Sequence, residues 1–109
     1  MDDNLLIEKF INNEAHIPQS VVRYLRHNTS WEWLMLAVEK IESLNIVGHR
    51  YEVFISSNRC CIQDTKFRSD IIEEPPLYFS EHYGKDKLEA TYSAVVSFIK
   101  WYNEQRAAV

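Results

Sequence analysis

The chain has 109 residues, 46% of them hydrophobic and 26% charged, with a net charge of −4 and a pI near 5.5. That composition fits one ordinary globular domain, which should bury a little over ~60% of its unfolded-chain surface. No apolar run approaches the roughly 20 residues that span a bilayer. The Met-Asp-Asp start does not read as a secretory leader, and the adjacent Cys60 and Cys61 make no disulfide framework, so a reduced, cytoplasmic protein is expected.

The first element reads as a short helix. Asp2 or Asp3 can cap it, Leu6, Ile7, Phe10 and Ile11 form its apolar stripe, and Asn12-Asn13 ends it. Pro18 suits the first position of a second short helix, with Val21, Val22 and Leu25 on one face; a strand through 22–25 is the alternative.

Residues 29–44 follow as a longer helix, about Ser30 to Leu44, stopped near Asn45 and Gly48. Thr29 and Glu32 stand in capping-box register. Trp31, Leu34, Met35, Val38 and Ile41 recur at helical spacing and are assigned to the core.

Residues 50–64 change to an alternating period. A two-residue turn at Ser57-Asn58 pairs Ile55 with Cys60 and Val53 with Ile62. One face of that hairpin is then Tyr51, Val53, Ile55, Cys60 and Ile62. The other carries Glu52, Phe54, Cys61 and Gln63 and reads as half exposed. A lone hairpin is marginal in water, so 77–82, after Pro75-Pro76, is expected as a third strand. The last helix opens with a capping box at Asp86 and Glu89 and buries Leu88, Thr91, Tyr92, Val95, Phe98, Ile99 and Tyr102. The expected fold is α+β: three to four helices packed on a two- or three-stranded antiparallel sheet, in the order α-α-β-β-(β)-α.

Chemistry-bearing patterns are sparse. His16, His27, His49 and His82 lie in different elements, and Cys60 and Cys61 point to opposite faces of a strand, so neither set has metal-ligand spacing. A Cys61–histidine nucleophile lacks anything in the sequence that joins the pair. Gly48 and Gly84 are isolated, so no phosphate-cradling loop is present, and Glu73-Glu74 before Pro75 reads as a loop. No catalytic residue, metal or cofactor is expected.

Residues 69–89 carry six acids against two bases, an excess equal to the whole-chain charge of −4. The plain reading is a solvated rim; the functional one is weak attraction for a basic partner. Single-stranded nucleic acid is the alternative partner, met by Arg23, Arg26, Arg50 and Arg59 with Tyr24, Trp31 and Phe54 nearby. The acidic pI is far from the usual footprint of such domains.

Surface hydrophobicity remains. Trp33, Leu36, Ala37 and Leu44 fall outside the core stripe of the central helix, and Ala90, Ala94 and Trp101 flank that of the last. The helices are either buried on two sides, with the alanines allowing close approach, or they present a second apolar wing to a partner. The candidate partner-binding residues are Trp33, Leu36, Leu44, Phe54 and Trp101.

The stretches Thr-Ser-Trp-Glu-Trp-Leu-Met-Leu-Ala-Val-Glu-Lys-Ile-Glu-Ser-Leu and Lys-Leu-Glu-Ala-Thr-Tyr-Ser-Ala-Val-Val-Ser-Phe-Ile-Lys-Trp-Tyr-Asn resemble small uncharacterised proteins of gut Bacteroidales and their phages. The resemblance covers the two long helices. It implies a phage or mobile-element setting, a short strand region between the helices, and no active-site residues. The expected function is therefore that of a non-enzymatic, phage-type accessory protein that binds another protein or itself.

Overall fold

The computed structural model describes residues 2–13, 18–22, 24–46, 48–68 and 77–107. Helix α1 (Asp3–Ile11) begins at its expected cap: the Asp2 carboxylate accepts from the amides of Asn4 (2.7 Å) and Leu5 (3.2 Å). It buries Ile7 and Phe10 and ends at Asn12, after which Asn13 turns left-handed at φ 56°. Asparagine tolerates that conformation better than most side chains. A four-residue turn of helix, α2 (Gln19–Val22), follows Pro18, and Leu25 is buried just beyond it. The amides of Tyr24 and Leu25 bond back to the carbonyls of Val21 and Val22, a turn rather than a strand among the described residues there.

Helix α3 (Trp31–Ser43) is capped by Ser30, whose hydroxyl accepts from the Trp33 amide at 3.4 Å. Thr29 is not the cap: its own amide donates to the Arg26 carbonyl at 3.0 Å and closes the preceding turn. The buried stripe is Leu34, Ala37, Val38 and Ile41. Trp31 corrects the expectation, for it is 39% exposed at the very start of the helix.

Strands β1 (Tyr51–Ser56) and β2 (Arg59–Asp64) form the expected hairpin, with Val53 opposite Ile62 and Ile55 opposite Cys60. Strand β3 (Phe79–Tyr83) adds antiparallel to β2, giving the order β1-β2-β3. The sheet thus has three strands.

Helix α4 (Lys87–Ala107) runs for 21 residues, about 31 Å, along the inner face of the sheet. The Asp86 carboxylate accepts from the Glu89 amide at 2.8 Å, while Glu89 reaches back to the Lys85 amide at 3.2 Å. The expected box is therefore present with its return bond shifted by one residue. α4 lies against β2 and β3, α3 lies against β1, and α1 closes over both long helices. Ala37, Ala90 and Ala94 are fully buried where these helices approach, which is the two-sided burial that small side chains permit. His27, also buried, ties α1 to α3: its Nε2 lies 3.0 Å from the Glu8 carboxylate, its Nδ1 3.3 Å from the Trp33 carbonyl, and its ring is edge-on to Trp33.

The joint between β3 and α4 is tight. A Cβ placed on Gly84 would lie 2.7 Å from the Ala90 amide nitrogen and 2.9 Å from the Glu89 Cβ. Gly84→Ala should therefore lower the melting temperature by roughly 4–13 °C, the equivalent of about 1–3 kcal/mol of overpacking. A thermal melt followed by circular dichroism reads it directly. A shift below about 1 °C would mean that the first turn of α4 moves aside freely.

Candidate functional site

Because side chains alternate along a strand, the sheet has an inner face on the helices and an outer face that no described helix covers. The register gives the outer face three rows. Ser56, Arg59 and Tyr83 form the first; Phe54, Cys61 and Glu81 the second; Glu52, Gln63 and Phe79 the third. Phe54 on one edge strand is 47% exposed, and Phe79 and Tyr83 on the other are 50% and 64% exposed. Two opposed edges thus raise aromatic rims around a central strand. Cys61 forms the floor and is only 4% exposed, a correction to the half-exposed position expected for it, because the long side chains of its cross-strand neighbours cover the small thiol.

Charge on this face is largely paired. Glu81 accepts from Arg59 Nε at 2.8 Å and from the Tyr83 hydroxyl at 2.5 Å. That hydrogen bond to the Glu81 carboxylate holds the Tyr83 phenol above its ordinary pKa. Burial pushes the Cys61 thiol up, outweighing the nearby Arg59 guanidinium, and pushes Cys60 up to about 11. Both cysteines are therefore protonated at neutral pH and poor nucleophiles. His49 engages Asp64 beside the start of β1, whereas Cys61 faces outward from β2, so the considered Cys61–His49 pair is not assembled.

The second cluster of ionisable groups is buried. Asp64, at the end of β2, accepts from His49 Nδ1 at 2.5 Å, from the Leu77 amide at 2.9 Å and from the Lys66 amide at 3.0 Å. Tyr51 lies opposite Asp64 in the ladder. Its buried hydroxyl has no hydrogen-bond partner among the described residues, and burial together with the Asp64 charge pushes it up to about 12. This cluster joins strand ends rather than facing a cleft.

The sequence-derived partner residues do not converge on one surface. Leu36 is 51% exposed on the solvent side of α3, and Phe54 lies on the outer sheet face. Trp33 and Leu44 are half-buried at the two ends of α3, Trp33 against His27 and Leu44 against the core. Trp101 is half-buried against Tyr51, Tyr78 and Phe98. Arg23, His16, Asp70, Glu73 and Glu74 lie outside the described residues. Of the other arginines, Arg26 is exposed beside α3, Arg50 precedes β1, and Arg59 is ion-paired at the opposite end of the hairpin, so these three make no common groove. Among the described residues no group of His, Cys, Asp and Glu could hold a metal ion, and no helix is long and apolar enough to cross a membrane.

No protein-family model, curated protein or solved structure matches the chain. The candidate site therefore stands on its geometry.

Phe79 and Tyr83 were not among the residues singled out from the sequence. Their signal was present as aromatic residues at i and i+4 of an alternating segment with Glu81 between them. It becomes meaningful only once β3 is known to pair with β2 and to send these three residues outward.

Proposed function

We propose that the protein is a non-enzymatic accessory protein, phage-type in setting as its helix sequences indicate, that binds another protein through the outer face of its sheet. The observation that carries this reading is the set of exposed rings Phe54, Phe79 and Tyr83 on a face that no described helix covers. Aromatic side chains held on a rigid sheet present large contact area at small entropic cost, which is why they dominate protein interfaces.

The size and charge of the face define the partner. Three strands of about five residues, at ~4.8 Å spacing and ~3.3 Å rise, offer a footprint on the order of 250 Å², far below the ~800 Å² per partner of a standard interface. An extended segment fits it better than a second globular body. Glu52 and Glu81 lie on the face, Glu81 is paired with Arg59 and Glu89 with Lys85, and the sequence 69–89 around β3 carries six acids against two bases. The fitting partner is thus a short segment that alternates apolar and basic residues. The same acidity disfavours nucleic acid.

Selection from a random twelve-residue peptide library tests this reading. The peptides enriched by the wild-type protein should combine aromatic or aliphatic residues with Lys or Arg. The double variant F54D/F79D, with its fold checked by circular dichroism, should lose at least about tenfold of their affinity. Peptides that bind both proteins equally would place the interface elsewhere. Salt-sensitive retention of a thymidine 20-mer that F54D/F79D abolishes would replace a protein partner by single-stranded DNA.

A further inference from the structure

The β3 edge of the sheet, with the flank of α4 beside it, forms a second surface. The Asp64 amide bonds to the Tyr78 carbonyl and the Gly84 amide to the Asn58 carbonyl, both at 3.0 Å. Bonded pairs alternate along an antiparallel ladder, so Ser80 and His82 also turn their main chain toward β2, while Glu81 and Tyr83 turn theirs away from it. No described residue pairs with that side of Glu81 and Tyr83. An unpaired edge is a template for another strand.

Helix α4 packs on β2 and β3 and only slightly on β1. Ser93, Val96, Ser97, Lys100 and Glu104 lie three or four residues apart on one flank of it and, with His82 of β3, line a cavity of about 530 Å³. Extended back to the start of the helix, this flank reads Lys85, Glu89, Ser93, Ser97, Lys100, Glu104. That is a cation and an acid, two small residues, then a cation and an acid, so the flank run backwards is its own complement. All four charged residues are exposed. Lys85 lies 3.9 Å from Glu89 and Lys100 3.9 Å from Asp3, contacts long enough to leave each group room for a second partner. The strand and the flank are also in step. A Cβ on Gly84 would lie 2.7 Å from the Ala90 amide nitrogen, so Gly84 is level with Ala90. His82 is two strand residues further back, ~6.6 Å, or about four helical residues, which puts it level with Ala94.

We propose that this surface binds a second copy of the chain, edge to edge about a two-fold axis at His82, so that the two sheets become one and the α4 helices pack antiparallel beneath it. In that register Glu81 stands opposite the partner's Tyr83 and Tyr83 opposite the partner's Glu81. Their main chains then exchange hydrogen bonds through the groups that β2 leaves unused. A register centred on Glu81 would set two glutamates opposite each other. One centred on Tyr83 would need the Lys85 amide, which already donates to Glu89. Beneath the strands, an axis level with Ala94 places the small Ser93 and Ser97 at the crossing. Within one helical turn it brings Glu89 to the partner's Lys100 and Lys85 to the partner's Glu104. With α4 between β2 and β3, the two helix axes come to lie ~10 Å apart, the spacing of packed helices. The charge pattern fits a copy of this chain better than an unrelated strand, which would leave the α4 flank unmatched. The outer face of the sheet stays open in this dimer, so the proposal does not rest on peptide binding there.

Sedimentation equilibrium tests it. The helix flank is about 30 Å long and ~10 Å wide, smaller than a standard interface, so the wild-type protein should dimerise with a Kd on the order of 10–100 μM. Glu89→Lys or Lys100→Glu alone should weaken the dimer at least about fivefold, because each reverses both symmetric contacts. An equimolar mixture of these two variants should return to within about threefold of wild type, since the reversed charges then face each other. Should Glu89→Lys fail to fold by circular dichroism, Lys85→Glu mixed with Glu104→Lys makes the same exchange at the other contact. Glu81→Pro removes an N–H that points to the open edge and keeps the ladder to β2, and should weaken the dimer at least about tenfold. F54D/F79D should leave the Kd unchanged, so failure of the dimer and failure of the sheet-face reading are read separately. A chain that stays monomeric at about ten times the expected Kd overturns the proposal. So does a mixture no stronger than its components, or a dimer indifferent to Glu81→Pro.

Discussion

Asp64→Asn is expected to destabilise the fold by about 3 kcal/mol at neutral pH, a fall in melting temperature of roughly 10–15 °C. Asp64 is fully buried and accepts three hydrogen bonds from separate segments: His49 before β1, Lys66 after β2, and Leu77 before β3. An ionised carboxylate only accepts, so both oxygens suit the donors around it, and the His49 Nδ1 carries its proton toward Asp64. Asparagine offers one accepting oxygen and one donating NH2. Either the Lys66 amide or the Leu77–His49 pair would then face another donor with no water to take its place.

The acid dependence follows from the same contacts. Burial alone would raise the Asp64 pKa, but the Leu77 and Lys66 amides and the His49 ring outweigh it and hold the carboxyl below its ordinary value. A depressed carboxylate contributes stability that is fully present above its unfolded-state pKa of about 4 and is lost as the pH falls through the lower folded value. Wild-type stability should therefore hold between pH 7 and 5 with respect to this group and decline below about pH 4. The gap between wild type and Asp64→Asn should narrow over that acid range. Urea unfolding at pH 7, 5, 4 and 3 measures it, and a gap that stays constant down to pH 3 would show that the charge of Asp64 is not what the network holds.

This network also marks what the sequence hides. The hairpin register was legible, because a two-residue turn at Ser57-Asn58 leaves one way to pair Val53 with Ile62. The last helix was legible too, since Asp86 caps it and seven apolar or small residues keep one period. Those are local patterns. Asp64 looks like the polar end of a strand until His49, fifteen residues earlier, and Leu77, thirteen later, are folded onto it. Trp31 was misassigned for a related reason. A helical wheel gives the angle of a side chain and not its depth along the axis, so Trp31 shared a stripe with Leu34 yet lies at the uncovered end. Trp33, off that stripe, is half-buried with its ring edge-on to His27, from the turn that precedes the helix.

The candidate site divides along the same line. Phe54 was visible because it interrupts an alternating strand, whereas the pairing of Arg59 with Glu81 was not, since it depends on the register of β3. That single cross-strand contact turns a residue considered for nucleic-acid binding into one half of an ion pair. Leu36 remains an exposed apolar residue on α3. It has no aromatic neighbours among the exposed residues of that helix face, where Glu32 and Glu39 flank it at one-turn spacing.

Phe98→Ala is the substitution expected to cost most, about 3–5 kcal/mol for removing a fully buried ring. Phe98 projects from the middle of α4 into a cluster with Tyr51 at 5.1 Å, Tyr78 at 5.1 Å, Trp101 at 5.6 Å and Tyr102 at 6.3 Å between ring centres. Tyr51 comes from β1, and Tyr78 immediately precedes β3, so this ring is where the helix grips both edges of the sheet. Its loss removes one ring contact from each of four aromatic neighbours and leaves a void that rigid rings cannot collapse to fill. In a domain of this size the whole folding free energy is about 5–15 kcal/mol, so Phe98→Ala should be partly unfolded at 37 °C. Phe98→Leu keeps most of the volume and should cost about 1.5 kcal/mol. The two variants also test the link between core and site. The outer rings Phe54, Phe79 and Tyr83 keep their spacing only while α4 holds the sheet from behind. Peptide binding should therefore survive Phe98→Leu and fall in Phe98→Ala in proportion to the unfolded fraction measured by urea titration. If Phe98→Ala costs less than about 1.5 kcal/mol, the sheet does not depend on this cluster, and the rigidity of the outer face must come from its ladder alone.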